Sequence, residues 1–152
     1  MRGRDSGMGN RESVKRPHEG LDVWRDAMDL VEAVYHLSSE FPDCERFGLT
    51  SQMRRAAVSI PSNIAEGAAR KSRADYVRFL AIARGSLSEL DTQLQIAYRL
   101  GFAAPAEDTD ALVDRLFARL TAQMKALVRA SGAVLSPPDS PFPIPDSRPS
   151  HA

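Results

Sequence analysis

Apolar and small side chains recur through the middle of the chain at α-helical spacing. After Ser72, the residues Tyr76, Leu80, Ala83, Leu87, Leu90, Leu94 and Ala97 step alternately by four and three. That is a heptad seam, which a helix gathers onto one face. Ser72 is placed to cap this helix, Asp75 suits the positive end of its dipole, and Gly101 ends it. A first helix is predicted from about Leu21 to Ser39, with Pro42 stopping it. It carries two neighbouring stripes: Leu21, Trp24, Met28, Val31 and Tyr35, then Val23, Ala27, Leu30, Val34 and Leu37. Together they make an apolar face wider than one packing partner needs. A second helix starts near Leu49 or Thr50 and buries Leu49, Met53, Ala56, Ala57, Ile60 and Ile64 before Gly67. The fourth follows Pro105, with Glu107, Asp108 and Asp110 at its positive end. It continues through Leu112, Leu116, Leu120, Met124 and Leu127, and Gly132 closes it. No segment sustains a two-residue alternation, so no strand is expected. The expected fold is all-α, an antiparallel up-down-up-down four-helix bundle.

Two features qualify the second helix. Pro61 removes a donor and its ring crowds the preceding turn, so the helix is kinked there or divides into two after Ser59. The apolar period continues on both sides, which favours the kink, and Ser59, Ser62 and Asn63 can satisfy freed backbone groups. Arg55, Ser59, Asn63, Glu66 and Arg70 step by 4, 4, 3 and 4 and share a face opposite Ile60 and Ile64. Ser and Asn at the centre of that face suit close helix approach or defined hydrogen bonds, as in a buried subunit contact or a ligand-facing groove. An ordinary exposed face remains the alternative.

The ends of the chain lose the period. Residues 1–17 are polar with Gly3, Gly7, Gly9 and Pro17, and residues 136–152 hold six of the ten prolines. Both are expected to be disordered tails flanking a bundle at 18–135. The 152 residues fit one such domain, and 43 % hydrophobic against 26 % charged residues is the balance of a soluble globular protein. The single cysteine, Cys44, excludes an internal disulfide and suits a reducing compartment. With no long apolar run and no signal-peptide pattern in residues 1–16, a cytoplasmic protein without a membrane span is expected.

Catalytic and metal chemistry find little support. His18, His36 and His151 are scattered and no His or Cys pair has ligand spacing, so no metal and no cofactor is expected. Cys44 and His36 flank a turn without a third group, which reads as surface chemistry. The carboxylate pairs Asp26 with Asp29 and Asp110 with Asp114 read as solvated faces. An enzyme is not expected.

Charge is more telling in its distribution than in its sum of zero. Residues 1–45 carry −4, residues 46–84 carry +6 and residues 85–152 carry −2. The basic excess falls on the second helix, the following turn and the start of the third. There Arg70, Lys71 and Arg73, with Arg55 and Arg78 nearby, have the chemistry to grip phosphates. The alternative, slightly favoured on charge alone, is that the same arginines pair with the acidic first helix, within the subunit or across to another.

Three segments carry a resemblance: "LDVWRDAMDLVEAVYHLSSEFP", "FGLTSQMRRAAVSIPSNIAEGAARKSRADYVRFLAIARGSLSELDTQL" and "AYRLGF". They closely resemble the four-helix-bundle proteins encoded by intervening sequences in bacterial 23S rRNA genes, over about residues 20–130. The family label reflects gene location. Members of the family are small, helical and non-enzymatic. Similar proteins form a ring of five bundles, and the accessory protein of diversity-generating retroelements looks like a relative that engages a reverse transcriptase and nucleic acid. The resemblance implies a homopentamer with RNA, DNA or a reverse transcriptase as partner, and Arg54, Arg55, Arg70, Lys71, Arg73 and Arg84 as nucleic-acid contacts; charge clustering adds Arg78. It also implies that Ser59, Pro61, Asn63, Glu66 and Gly67, in the signature string, shape the kinked helix and its neighbours. Net neutrality departs from the strongly basic retroelement proteins. The broad first-helix face, with Trp24 on its outer stripe, agrees with self-association, because a second stripe needs a second partner.

Overall fold

The computed structural model describes residues 16–132. The tail expected at 136–152, and the one expected at 1–17 as far as residue 15, lie outside the described residues. Four helices make up the fold: α1 (Asp22–Ser38), α2 (Leu49–Ala68), α3 (Arg73–Arg99) and α4 (Glu107–Gly132). Among the described residues there is no strand. Each helix packs against its neighbour in the chain and α4 closes on α1, so the four helices form a closed ring of contacts around one core. The α2–α3 contact is the most extensive and the α1–α4 contact the thinnest.

The caps follow the local rules. Ser72 Oγ accepts from the Asp75 amide at 3.3 Å and so caps α3. At the other end Gly101 takes φ 72°, where a side chain would be strained. The Gly101 amide bonds to Tyr98 O and the Phe102 amide to Ala97 O, a Schellman ending. That turn delivers the Phe102 ring to within 5.8 Å of Phe41, and the two close one end of the core. Glu45 starts α2: its Oε2 accepts from the Leu49 amide at 3.1 Å and opposes the positive end of the dipole.

α2 runs through Pro61 as a single helix. Ser62 Oγ donates to Val58 O at 2.8 Å and Asn63 Nδ2 donates to Ser59 O at 2.8 Å, so the carbonyls beside the missing donor gain side-chain partners. Ile60 and Ile64 are fully buried on either side of the proline. Continuous burial keeps the two halves in one helix at the cost of one ladder bond, so α2 does not divide after Ser59.

The core is aliphatic. Val23, Ala27, Leu30 and Val34 of α1 meet Met53, Ala57, Ile60 and Ile64 of α2, Leu80 to Ala97 along the α3 seam, and Val113, Leu116 and Leu120 of α4. Leu49, Tyr76, Leu112, Met124 and Leu127, expected inside, are only half-buried and pack on the core's margin. The outer stripe of α1 divides. Leu21, Trp24 and Val31 rest on the core, and the His18 ring lies 5.0 Å from Trp24, supplied by a 3₁₀ turn at Pro17–Gly20. Met28 and Tyr35 stay 39 % and 43 % exposed. Part of the second stripe is therefore covered from within the subunit, and part is uncovered.

Tyr98 ties α3 to α4 by donating its hydroxyl to Asp110 Oδ1 at 3.0 Å. Burial first, then the bond and charge of Asp110, push its phenol from the ordinary 10 up to about 12. A folded value above the unfolded one gives stability that is complete below about pH 10 and is lost as pH rises through about 12. Tyr98→Phe is expected to remove this part of the alkaline loss, seen as a smaller drop in urea midpoint between about pH 10 and 12 than in the parent protein.

Candidate nucleic-acid interface

The residues expected to contact nucleic acid fall into two groups in the folded chain. Four are engaged within the bundle. Arg54 is half-buried, donates from Nε to Ser38 Oγ at 2.9 Å and lies 4.5 Å over the Tyr35 ring, which pins the end of α1 to α2. Arg70 pairs with Glu66 at 2.6 Å and Arg78 with Asp75 at 3.5 Å, both within one helical turn or its edge, and both guanidinium groups lie 5.0 Å from the Phe79 ring. Arg73 donates to Ala130 O at 3.0 Å, near the end of α4 where carbonyls lack helical partners. By contrast Arg55, Lys71 and Arg84 are exposed and make no ion pair among the described residues.

The ion pairs take a form that charge clustering does not suggest. Arginines of the basic segment pair locally, while the acidic first helix is served by α4. Asp26 accepts from Arg115 Nε at 3.2 Å, Arg115 Nη2 at 3.3 Å and Arg119 Nη1 at 2.7 Å. The expectation that Asp26 and Asp110 lie on solvated faces is corrected. Asp26 is 7 % exposed because it shares the inward side of α1 with Val23, Ala27 and Leu30, and Asp110 is half-buried under Tyr98. Their partners Asp29 and Asp114 are exposed. The available signal was a carboxylate inside an apolar stripe, which requires a cation across the core.

The polar row of α2 is a helix–helix contact at its centre. Ser59 Oγ meets Ser86 Oγ of α3 at 2.9 Å, and Asn63 Nδ2 reaches Ser59 Oγ at 3.0 Å. Further along, a Cβ placed on Gly67 would sit 2.8 Å from Phe79 Cβ and 2.9 Å from Tyr76 Cδ2. Hydroxyls and an absent side chain thus let α2 and α3 approach closely. Arg55 and Arg70 flank this seam at the surface.

Two cation-lined grooves frame the band. Val77, Arg84, Thr121, Met124, Lys125, Val128 and Arg129 line one of about 440 Å³ between α3 and α4, so the basic surface extends onto the second half of α4, which the charge of each segment does not reveal. Another, of about 660 Å³, lies over the start of α2 and is lined by Tyr35, Arg46, Phe47, Arg54 and Arg55 with Thr50, Ser51, Val58 and Ser59. Neither lining contains an acid. Arg46 and Phe47 stand in a loop outside any helical period, so periodicity does not single them out. Among the described residues no three His, Cys, Asp or Glu side chains assemble as a metal would require, and no helix is long and apolar enough to cross a membrane.

A family model described as 23S rRNA-intervening sequence protein matches residues 19–123. Among solved structures, the crystal structure of a protein of unknown function from the S23 ribosomal protein family of Bacteroides thetaiotaomicron is similar in fold, with a TM-score of 0.52 and 21 % identity. The match covers 71 % of this chain and 96 % of that one. No curated protein matches the chain.

Proposed function

The chain belongs to the 23S rRNA-intervening sequence protein family, and from that premise we propose that it is a non-enzymatic, homo-oligomeric adaptor whose basic band contacts nucleic acid or an enzyme acting on it, such as a reverse transcriptase. It works in the cytoplasm, the compartment that suits its exposed, unpaired Cys44. The observation that carries this reading is a set of exposed cations without ion-pair partners among the described residues, in a chain of zero net charge. Arg84, Lys125 and Arg129 share an acid-free groove, and Lys71 stands unpaired on the α2–α3 turn. Such a surface attracts phosphates without a global field. Self-association, as a pentamer, draws on the α1–α2 face. There Met28 is 39 % exposed and lines a groove with Trp24, Val31 and Pro61.

A second reading is a protein–protein scaffold with no nucleic-acid binding, its charges used in subunit contacts; the engagement of Arg54, Arg70, Arg73 and Arg78 within the bundle supports it only in leaving fewer cations for phosphates. One experiment separates the two. Labelled RNA and DNA are titrated across a salt series against the parent chain and the combined Lys71→Ala, Arg84→Ala and Lys125→Ala variant, all exposed positions. The adaptor reading expects binding at low salt that weakens steeply with salt, and a slope in the variant smaller by about one for each phosphate no longer gripped. Undetectable binding at low salt, or equal binding by the variant, overturns it. A changed mass in light scattering with unchanged binding supports the scaffold. A parent chain that scatters as a monomer of 16.7 kDa removes self-association.

A further inference from the structure

We propose that the groove over the start of α2 is a single-strand site, in which an unstacked base lies on the Phe47 ring and the flanking phosphates meet Arg46 and Arg55. The proposal rests on the reading that this protein contacts nucleic acid, and it names the form of nucleic acid and the residues that recognise it. Phe47 is 90 % exposed, more than any other large apolar side chain described. It belongs to neither the core nor a helix face, since it stands between the 3₁₀ turn at Asp43–Glu45 and the first residue of α2. A loop with only a connecting task gains nothing from a solvated aromatic ring.

What surrounds the ring identifies its occupant. The Arg46 guanidinium is 5.7 Å from the Phe47 ring centre, and Arg55 is exposed without a partner among the described residues. Arg54 is held over Tyr35 by bonds to Ser38 Oγ and Tyr35 O, so the back of the groove is a fixed arginine–tyrosine stack. The nearest carboxylate in sequence, Glu45, is occupied with the Leu49 amide. Three cations, two aromatic rings and no acid thus line an open groove of about 660 Å³. Guanidinium groups interleaved with accessible rings are what a single strand requires, because its bases offer free π faces while its backbone carries one charge per nucleotide. A duplex keeps those faces stacked inside and cannot use Phe47. An acidic peptide would satisfy the arginines and leave the ring without a matching plane.

Phe47→Ala removes an exposed side chain, so the bundle should fold as before, which circular dichroism checks. Fluorescence anisotropy is measured with labelled oligo(dT), oligo(U) and a hairpin duplex. Phe47→Ala is expected to weaken single-strand binding about 5- to 100-fold with duplex binding unchanged, and Phe47→Trp to restore it. Arg55→Ala should lower the salt slope by about one. Single-strand binding by Phe47→Ala equal to the parent overturns the proposal, while the Lys71, Arg84 and Lys125 variant continues to report on the broader band. If the parent binds no oligonucleotide at low salt, the broader reading fails as well. Two further outcomes overturn the single-strand site: a change of oligomeric mass in Phe47→Ala, which assigns the groove to a second copy, and displacement of oligo(dT) by polyglutamate of matched charge, which assigns it to an acidic peptide.

Discussion

Asp26→Ala is expected to cost the bundle about 2–3 kcal/mol of stability, read as a lower urea midpoint with an unchanged slope. Asp26 accepts three hydrogen bonds from Arg115 and Arg119, and it forms the one ion-pair link between α1 and α4 among the described residues. The α1–α4 contact is the thinnest of the bundle, so little other packing compensates. The side chain of Asp26 is 9 % exposed while those of Arg115 and Arg119 are 51 % and 41 % exposed. Removing the acid leaves two arginines that water can reach, which keeps the loss below that of a fully buried pair. Removing both arginines leaves a buried carboxylate without a partner and should cost more than Asp26→Ala. Either arginine alone should cost less, since the other still bonds to the acid. A double-mutant cycle between Asp26 and Arg119 reads the coupling directly; coupling near zero would sink this account of the α1–α4 contact. Protein concentration is held fixed throughout, because self-association would shift the midpoint by mass action.

Gly67→Val should be comparably harmful, at about 3 kcal/mol. The added Cβ would stand 2.8 Å from Phe79 Cβ and 3.3 Å from Tyr76 O, atoms fixed to the α3 backbone. The helices must separate, and they do so at the most extensive contact in the fold. Gly67→Ala meets the same obstruction with one carbon and regains part of the loss, because alanine favours a helix over glycine by about 1 kcal/mol. Its expected net loss is about 1 kcal/mol. Thermal and urea unfolding check both substitutions. A Gly67→Ala protein more stable than the parent would show that α2 and α3 can part without penalty.

The two substitutions mark the boundary between local and long-range information in this chain. Helices, caps and breakers depend on residues within a turn or two of one another. The Tyr76-to-Ala97 seam, Ser72 as cap, Gly101 as terminus and the acidic start of α4 therefore follow from spacing and residue type alone. All-α architecture follows from the same period, since four amphipathic helices with short connections have few ways to hide their stripes. The membership of residues 19–123 in a known family could likewise be recognised from a contiguous signature string.

Which charges remain free is another matter. Asp26 and Arg115 are separated by 89 positions, and no period relates them. The state of each arginine in the basic segment depends on what faces it: Glu66 for Arg70, an α4 carbonyl for Arg73, a tyrosine ring for Arg54, water for Arg55 and Lys71. The grooves arise the same way, since Arg84 acquires Lys125 and Arg129 as neighbours only when α4 packs beside α3. Side-chain periodicity encodes the direction in which a residue points along its own helix; the identity of the atom it meets is set by packing between helices distant in the chain.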